Sequence, residues 1–106
     1  MDGLTVDATY LARDVICLEV SGEVDMASSE ALNNAIWEAL TAPGVKRVEA
    51  DLSKVTFLDS TGINTLVQFR QRAGDQDIEL RVVNPSQMAL RVLELTGVRE
   101  FLSGDA

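Results

Sequence analysis

The chain contains no histidine and a single cysteine, Cys17. Without histidine there can be no Ser-His-Asp or Cys-His catalytic constellation and no histidine-based zinc site. One cysteine excludes a disulfide framework within the chain. Cys17 lies inside the apolar run Val15 to Val20, which predicts a small buried hydrophobe rather than a reactive thiol. There is no run of about 18 apolar residues, the length a membrane-spanning helix needs. The start, Met1-Asp2-Gly3-Leu4, is acidic and lacks the basic and apolar regions of a signal peptide. A cytoplasmic location is expected by default. Basic residues are scarce: 9 Lys and Arg against 17 Asp and Glu give a formal net charge of −8. Such a surface repels phosphate backbones and anionic lipid, so neither direct nucleic-acid binding nor membrane docking is expected. It suits a basic protein partner, although acidity for solubility alone is the commoner cause.

What is present is an ordinary globular balance. The 106 residues are 46% apolar and 25% charged, enough for one domain over residues 1–106 with one modest core. No repeat, linker or low-complexity segment interrupts it. Arg13 to Val20 reads as a strand, with Ile16, Leu18 and Val20 on one face and Val15 and Cys17 on the other. Apolar residues on both faces predict a strand covered on both sides. Leu4 to Tyr10 is a weaker strand, paired to it through a turn near Ala12-Arg13-Asp14.

Ser21-Gly22-Glu23-Val24-Asp25 then breaks the pattern, and Asp25 is a candidate helix N-cap. Leu32, Ile36 and Leu40 recur every four residues, an amphipathic helix from about Ala27 to Thr41 that Pro43-Gly44 ends. Trp37 sits beside this stripe and reads either as a rim residue or as a partner contact. Val48, Ala50 and Leu52 alternate with charged residues in a further strand, and after a loop at Ser53-Lys54 the apolar pattern resumes with Val55 and Phe57. A second helix begins near Ser60, buries Ile63, Leu66, Val67 and Phe69, and has Gly74 as its expected C-cap. Ile78, Leu80 and Val82 form the last strand. Ser86 caps a third helix with Met88, Ala89, Val92, Leu93 and Leu95 on its apolar side, closed by Gly97, and Val98, Phe101 and Leu102 tack the end onto the core. Strands alternating with helices imply an α/β fold whose sheet is mixed and largely parallel.

One segment carries chemistry. In Val55-Thr56-Phe57-Leu58-Asp59-Ser60-Thr61-Gly62 an apolar strand end runs into polar residues where a helix starts. Loops at the carboxyl ends of strands are where α/β proteins engage ligands. Unpaired N–H groups and the helix dipole there favour negative charge, so a phosphate on a hydroxyl would be accommodated. Asp59 opposes it by like-charge repulsion. The plainer reading makes Asp59, Ser60 and Thr61 capping residues, and the two readings are compatible.

Three segments in order resemble the STAS family, specifically the bacterial anti-sigma factor antagonists: Ser21-Gly22-Glu23-Val24-Asp25, Asp51 to Gly62, and Arg91-Val92-Leu93-Glu94-Leu95-Thr96-Gly97-Val98. The middle one is the most specific. The resemblance implies a STAS-like fold and a partner switch that is not itself an enzyme and needs no cofactor. Such an antagonist, unphosphorylated, binds an anti-sigma factor that is often also a serine kinase, and so releases a sigma factor. The kinase phosphorylates it and breaks the complex, and a serine phosphatase resets it. By position the resemblance makes Ser60 the phosphorylated residue, and Asp25, Asp59, Ser60, Thr61, Gly62 and Asn64 the partner-binding set. Asn64 departs from the Gly-Leu-Gly that many members carry and bears on which partner fits. Two further readings stand beside it. One is a STAS adaptor subunit without a phospho-switch, in a lipid-transport ATPase or stress-signalling scaffold. The other is a small enzyme or nucleotide-binding protein, disfavoured because no phosphate-binding glycine loop is present.

Overall fold

Alternating apolar residues at period two assemble into a four-stranded sheet in this computed structural model, which describes residues 3–103. Met1 and Asp2 of the acidic start lie outside the described residues. The elements run β1 (Leu4–Ala12), β2 (Val15–Val24), α1 (Ser29–Leu40), β3 (Arg47–Leu58), α2 (Ser60–Asp75), β4 (Glu79–Val83), α3 (Gln87–Leu95) and α4 (Arg99–Ser103). Strand order is β1-β2-β3-β4. β1 and β2 form an antiparallel hairpin, while β2 with β3 and β3 with β4 are parallel, so the sheet is mixed and largely parallel as expected. None of the described helices is long and apolar enough to cross a membrane.

Register explains the core. Ile16 lies beside Val48 and Val48 beside Leu80, and the next inward row is Leu18, Ala50 and Val82. These rows join Leu32 and Ile36 of α1, Leu66 and Phe69 of α2, Leu93 of α3 and Leu102 of α4 in one buried cluster. Ile16, Leu18, Val20, Val48, Ala50, Leu52 and Leu80, inward by alternation, and Leu66 from the stripe of α2 are all buried there as expected. Ser86 caps α3 as anticipated, its Oγ accepting from Ala89 N at 3.1 Å. Past the cap residue Thr96, Val98 N donates to Leu93 O at 3.1 Å and closes the helix at Gly97.

Several expectations are corrected. The sheet is not covered on both faces: Val15, Cys17 and Glu19 are only half-buried, as are their neighbours Arg47, Glu49 and Asp51. Charged side chains pair across this face, Arg47 with Glu49 at 3.7 Å and Lys54 with Glu19 at 3.3 Å. Cys17 is therefore a half-buried thiol on an open face. Burial, then the carboxylates of Asp51, Glu49 and Glu19, push its pKa up, which keeps it protonated and unreactive. The strands are longer than read. β2 continues through Ser21–Val24, and Ser53-Lys54 is no loop but part of an unbroken β3. A register shift absorbs the break: Glu19 faces Asp51, but Ser21 faces Lys54. α1 starts at Ser29 with Ser28, not Asp25, at its N-cap position. Gly74 lies inside α2, whose C-cap is Gln76. Leu95 is 76% exposed, because it lies two residues past the buried Leu93 and so on the opposite side of α3.

On the open face, Arg81 and Arg47 both converge on Glu79, at 2.6 and 3.0 Å. The hydrogen bond from Arg81 leads in holding the Glu79 carboxyl below its ordinary value of 4.5, with Arg47 adding to it. A carboxylate with a lowered folded pKa contributes stability that is present above the unfolded value and lost as pH falls through the folded one. Unfolding free energy should therefore decline on acidification below about pH 4.5, and Glu79→Gln should flatten that acid limb. An unchanged acid limb by urea titration across pH would remove the ion pair from the account. The effect is small, since Glu79 is partly solvated.

Candidate functional site

The carboxyl ends of β2 and β3 and the first turn of α2 build one surface. Val24 faces Leu58 across the parallel ladder, and Asp59 N extends it by donating to Val24 O at 3.1 Å. The chain then turns into α2. Asp59 is its N-cap, in extended backbone, and its Oδ1 accepts from Gly62 N at 3.2 Å. The capping expected of this segment thus belongs to Asp59. Thr61, read as a cap, does not cap; its carbonyl accepts from Thr65 Oγ1 at 3.1 Å.

Ser60 is the first residue of α2 and is exposed, Thr61 is half-buried, and Gly62 is buried. Neither the Ser60 nor the Thr61 hydroxyl makes a side-chain hydrogen bond among the described residues. Asn64, one turn beyond Ser60, is exposed on the same side of the helix. A nucleophilic serine needs a base within hydrogen-bond reach. An exposed hydroxyl on a helix's first turn instead suits modification by another protein, where N–H groups and dipole receive the added charge.

Gly62 explains why this turn sits so close to β2. A Cβ there would lie 2.5 Å from Val24 Cγ1 and 2.8 Å from Leu58 Cδ1. Gly62→Ala should gain about 1 kcal/mol of helix propensity but cost about 1–3 kcal/mol through overpacking against a stiff buried valine. The expected net is a loss of about 1 kcal/mol in urea unfolding, and a more stable variant would show that α2 shifts without cost.

Asp25 lies beside this turn, directly after Val24, but not as a helix cap. It forms a reciprocal pair with Ser28: Ser28 N donates to Asp25 Oδ1 at 3.0 Å, and Asp25 N donates to Ser28 Oγ at 3.0 Å. Ser28 Oγ in turn donates to Glu23 O at 2.7 Å. The network fixes the loop one turn ahead of α1, and the Asp-x-x-Ser spacing was its signal in the sequence. The structure thus brings Asp25, Asp59, Ser60, Thr61, Gly62 and Asn64 to one end of the sheet. Trp37, 52% exposed, lies on α1 beside Asn33, Asn34, Gln68 and Arg72, toward the far end of α2.

Two residues at the site were missed. Met26 follows Asp25 and is 76% exposed, and Phe57, read as continuing the buried pattern, is 45% exposed. The first register shift puts Val55 inward after Leu52, and a second, between the Gly22–Val55 and Glu23–Phe57 pairs, changes the phase again, so Leu58 points inward and Phe57 does not. Among the described residues no group of three or more His, Cys, Asp or Glu side chains could hold a metal ion.

The family model described as STAS domain matches residues 8–104. The chain is 32% identical to the anti-sigma-F factor antagonist RsfB of Mycobacterium tuberculosis, over 79% of this chain and 67% of that protein. It is 25% identical to an anti-sigma-B factor antagonist of Staphylococcus aureus, over 80% of this chain and 78% of that one. Among solved structures, an anti-sigma factor antagonist from Mycobacterium paratuberculosis superimposes with a TM-score of 0.81 at 30% identity, covering 94% of this chain and 83% of that one.

Proposed function

The chain belongs to the STAS domain family, and from that premise we propose that it is an anti-sigma factor antagonist switched by phosphorylation of Ser60. Unphosphorylated, it binds an anti-sigma factor that is also a serine kinase, and a sigma factor is released. Phosphorylated, it lets go, and a serine phosphatase restores it. The names of relatives at 32% and 25% identity support the class. The observation that carries the switch is Ser60 itself: an exposed hydroxyl in the first turn of α2, directly after the Asp59 cap. Asp25, Asp59, Thr61 and Asn64 lie near it on the surface offered to the partner, whereas Gly62, expected in that set, is buried and instead lets α2 pack closely on Val24.

The test uses the purified anti-sigma factors of the source bacterium, each incubated with this chain and ATP, with mass spectrometry to map the product. Ser60 should be modified, Ser60→Ala should bind without being modified, and Thr61→Ala should still be modified at Ser60. Modification at Thr61 alone would overturn the assignment. Binding without modification by any of them would favour a permanent adaptor.

A further inference from the structure

Two large apolar side chains stand out of the surface at this site, and folding has no use for either. Met26 is 76% exposed and Phe57 45% exposed. They are far apart in sequence, but their backbones come to the same end of the sheet: Phe57 lies beside Glu23 in the ladder, and Met26 follows Glu23 by three residues. Phe57 is three residues before Ser60, so their Cα atoms are at most about 11 Å apart. Met26 is two residues beyond Val24, about 7 Å of chain. A standard interface covers about 800 Å² per partner, a patch roughly 30 Å across. A patch of that size at this end of the sheet is wide enough to reach both backbone positions.

The backbone is held in place at both positions. The turn that carries Met26 is locked by the Asp25–Ser28 pair, and Ser29 Oγ donates to Met26 O at 3.1 Å. Phe57 is fixed by β3. A fixed backbone removes the cost of ordering the chain there on binding, and methionine and phenylalanine are enriched at interface centres. The other exposed large apolar residues, Tyr10, Leu11, Trp37 and Leu95, belong to β1, α1 and α3.

We infer that Met26 and Phe57 are the apolar anchors by which this chain holds its anti-sigma factor, seated in apolar recesses of that partner beside donors that meet the Asp25 and Asp59 carboxylates. The inference rests on the function proposed above and adds how the switch acts. Anchors that exclude water around Ser60 place its phosphate in a desolvated contact, where charge is least tolerated. Asp25 is then a positioning residue for Met26.

Calorimetric titration of a purified anti-sigma factor that binds the wild-type chain tests this. Met26→Ala and Phe57→Ala should each weaken binding about 10- to 30-fold. Met26→Leu should restore most of the affinity, and Trp37→Ala should stay within about twofold of wild type. The factor separating unphosphorylated from phosphorylated chain should shrink in Met26→Ala, which a purely structural role would not cause. Met26 is exposed enough for its variants to fold normally, so its result stands even if Phe57→Ala unfolds. If wild type binds and is released by phosphorylation while Met26→Ala matches it in both, the anchors are wrong and the function stands. If wild type binds none of the anti-sigma factors, the functional reading itself falls.

Discussion

Phosphorylation of Ser60 is expected to leave the domain folded and to weaken its complex by about two to three orders of magnitude, the equivalent of an unpaired buried charge costing about 3–5 kcal/mol. A phosphoserine adds about −1.5 to −2 charges. Within the domain, that charge stands on the first turn of α2, where the dipole favours it and Asp59 opposes it. Ser60 is exposed, so water also screens the addition. These terms are small and of opposite sign, and the melting temperature should move little. At an interface the phosphate loses its water and has no counter-charge unless the partner provides one. Ser60→Asp should show a weaker form of the same effect, since one carboxylate carries less charge and fewer acceptors than a phosphate. Titration and thermal unfolding on the same phosphorylated sample give the decisive comparison. A complex that survives phosphorylation, or a domain that unfolds on it, would end the switch as described.

Gly22→Ala is expected to be the most damaging single-methyl change in the chain. Gly22 has φ +106°, and a Cβ there would overlap the carbonyl oxygen of Gly3 and approach Gly3 C at 3.1 Å. Both obstacles are backbone, so neither can rotate away. That same oxygen accepts from Glu23 N at 3.1 Å, so relieving the overlap breaks a hydrogen bond that ties the start of β1 to β2. Strained backbone costs about 1–3 kcal/mol and the hydrogen bond about 1 kcal/mol, for a loss of about 2–4 kcal/mol in urea unfolding. Gly74→Ala is the control. A Cβ at Gly74 meets nothing within 4 Å inside α2, so alanine should stabilise by up to about 1 kcal/mol. Equal effects at the two glycines would show that backbone geometry at Gly22 is not limiting.

The glycine of the Gly-Glu-Val-Asp segment is thus set by the approach of β1, while the aspartate three residues later is set by its turn with Ser28. Sequence patterns cannot separate those two causes. Asp25 illustrates the limit: a polar residue ahead of an amphipathic stretch reads as a cap, yet the helix begins at Ser29 and Asp25 closes a turn with Ser28 instead. At Asp59 the same reading holds, because nothing intervenes between the residue and its helix.

The short α4 was not foreseen, but from sequence alone came the order of the four strands and the first three helices, the inward rows from Ile16 to Leu80, the cap at Ser86 and the place of Ser60 at the start of α2. These are properties of period and of neighbours close in the chain, so short-range physics specifies them. Tertiary structure decided the rest: that only one face of the sheet is covered, that Cys17 stands half-open among carboxylates, and that β3 runs unbroken past Asp51. It also decided that Val24 and Gly62 meet and that Phe57 turns outward. Each depends on which strand lies next to which, and at what register. An alternating pattern states that two faces differ; it does not state what lies on the second face, and one bulge reverses the phase of all that follows.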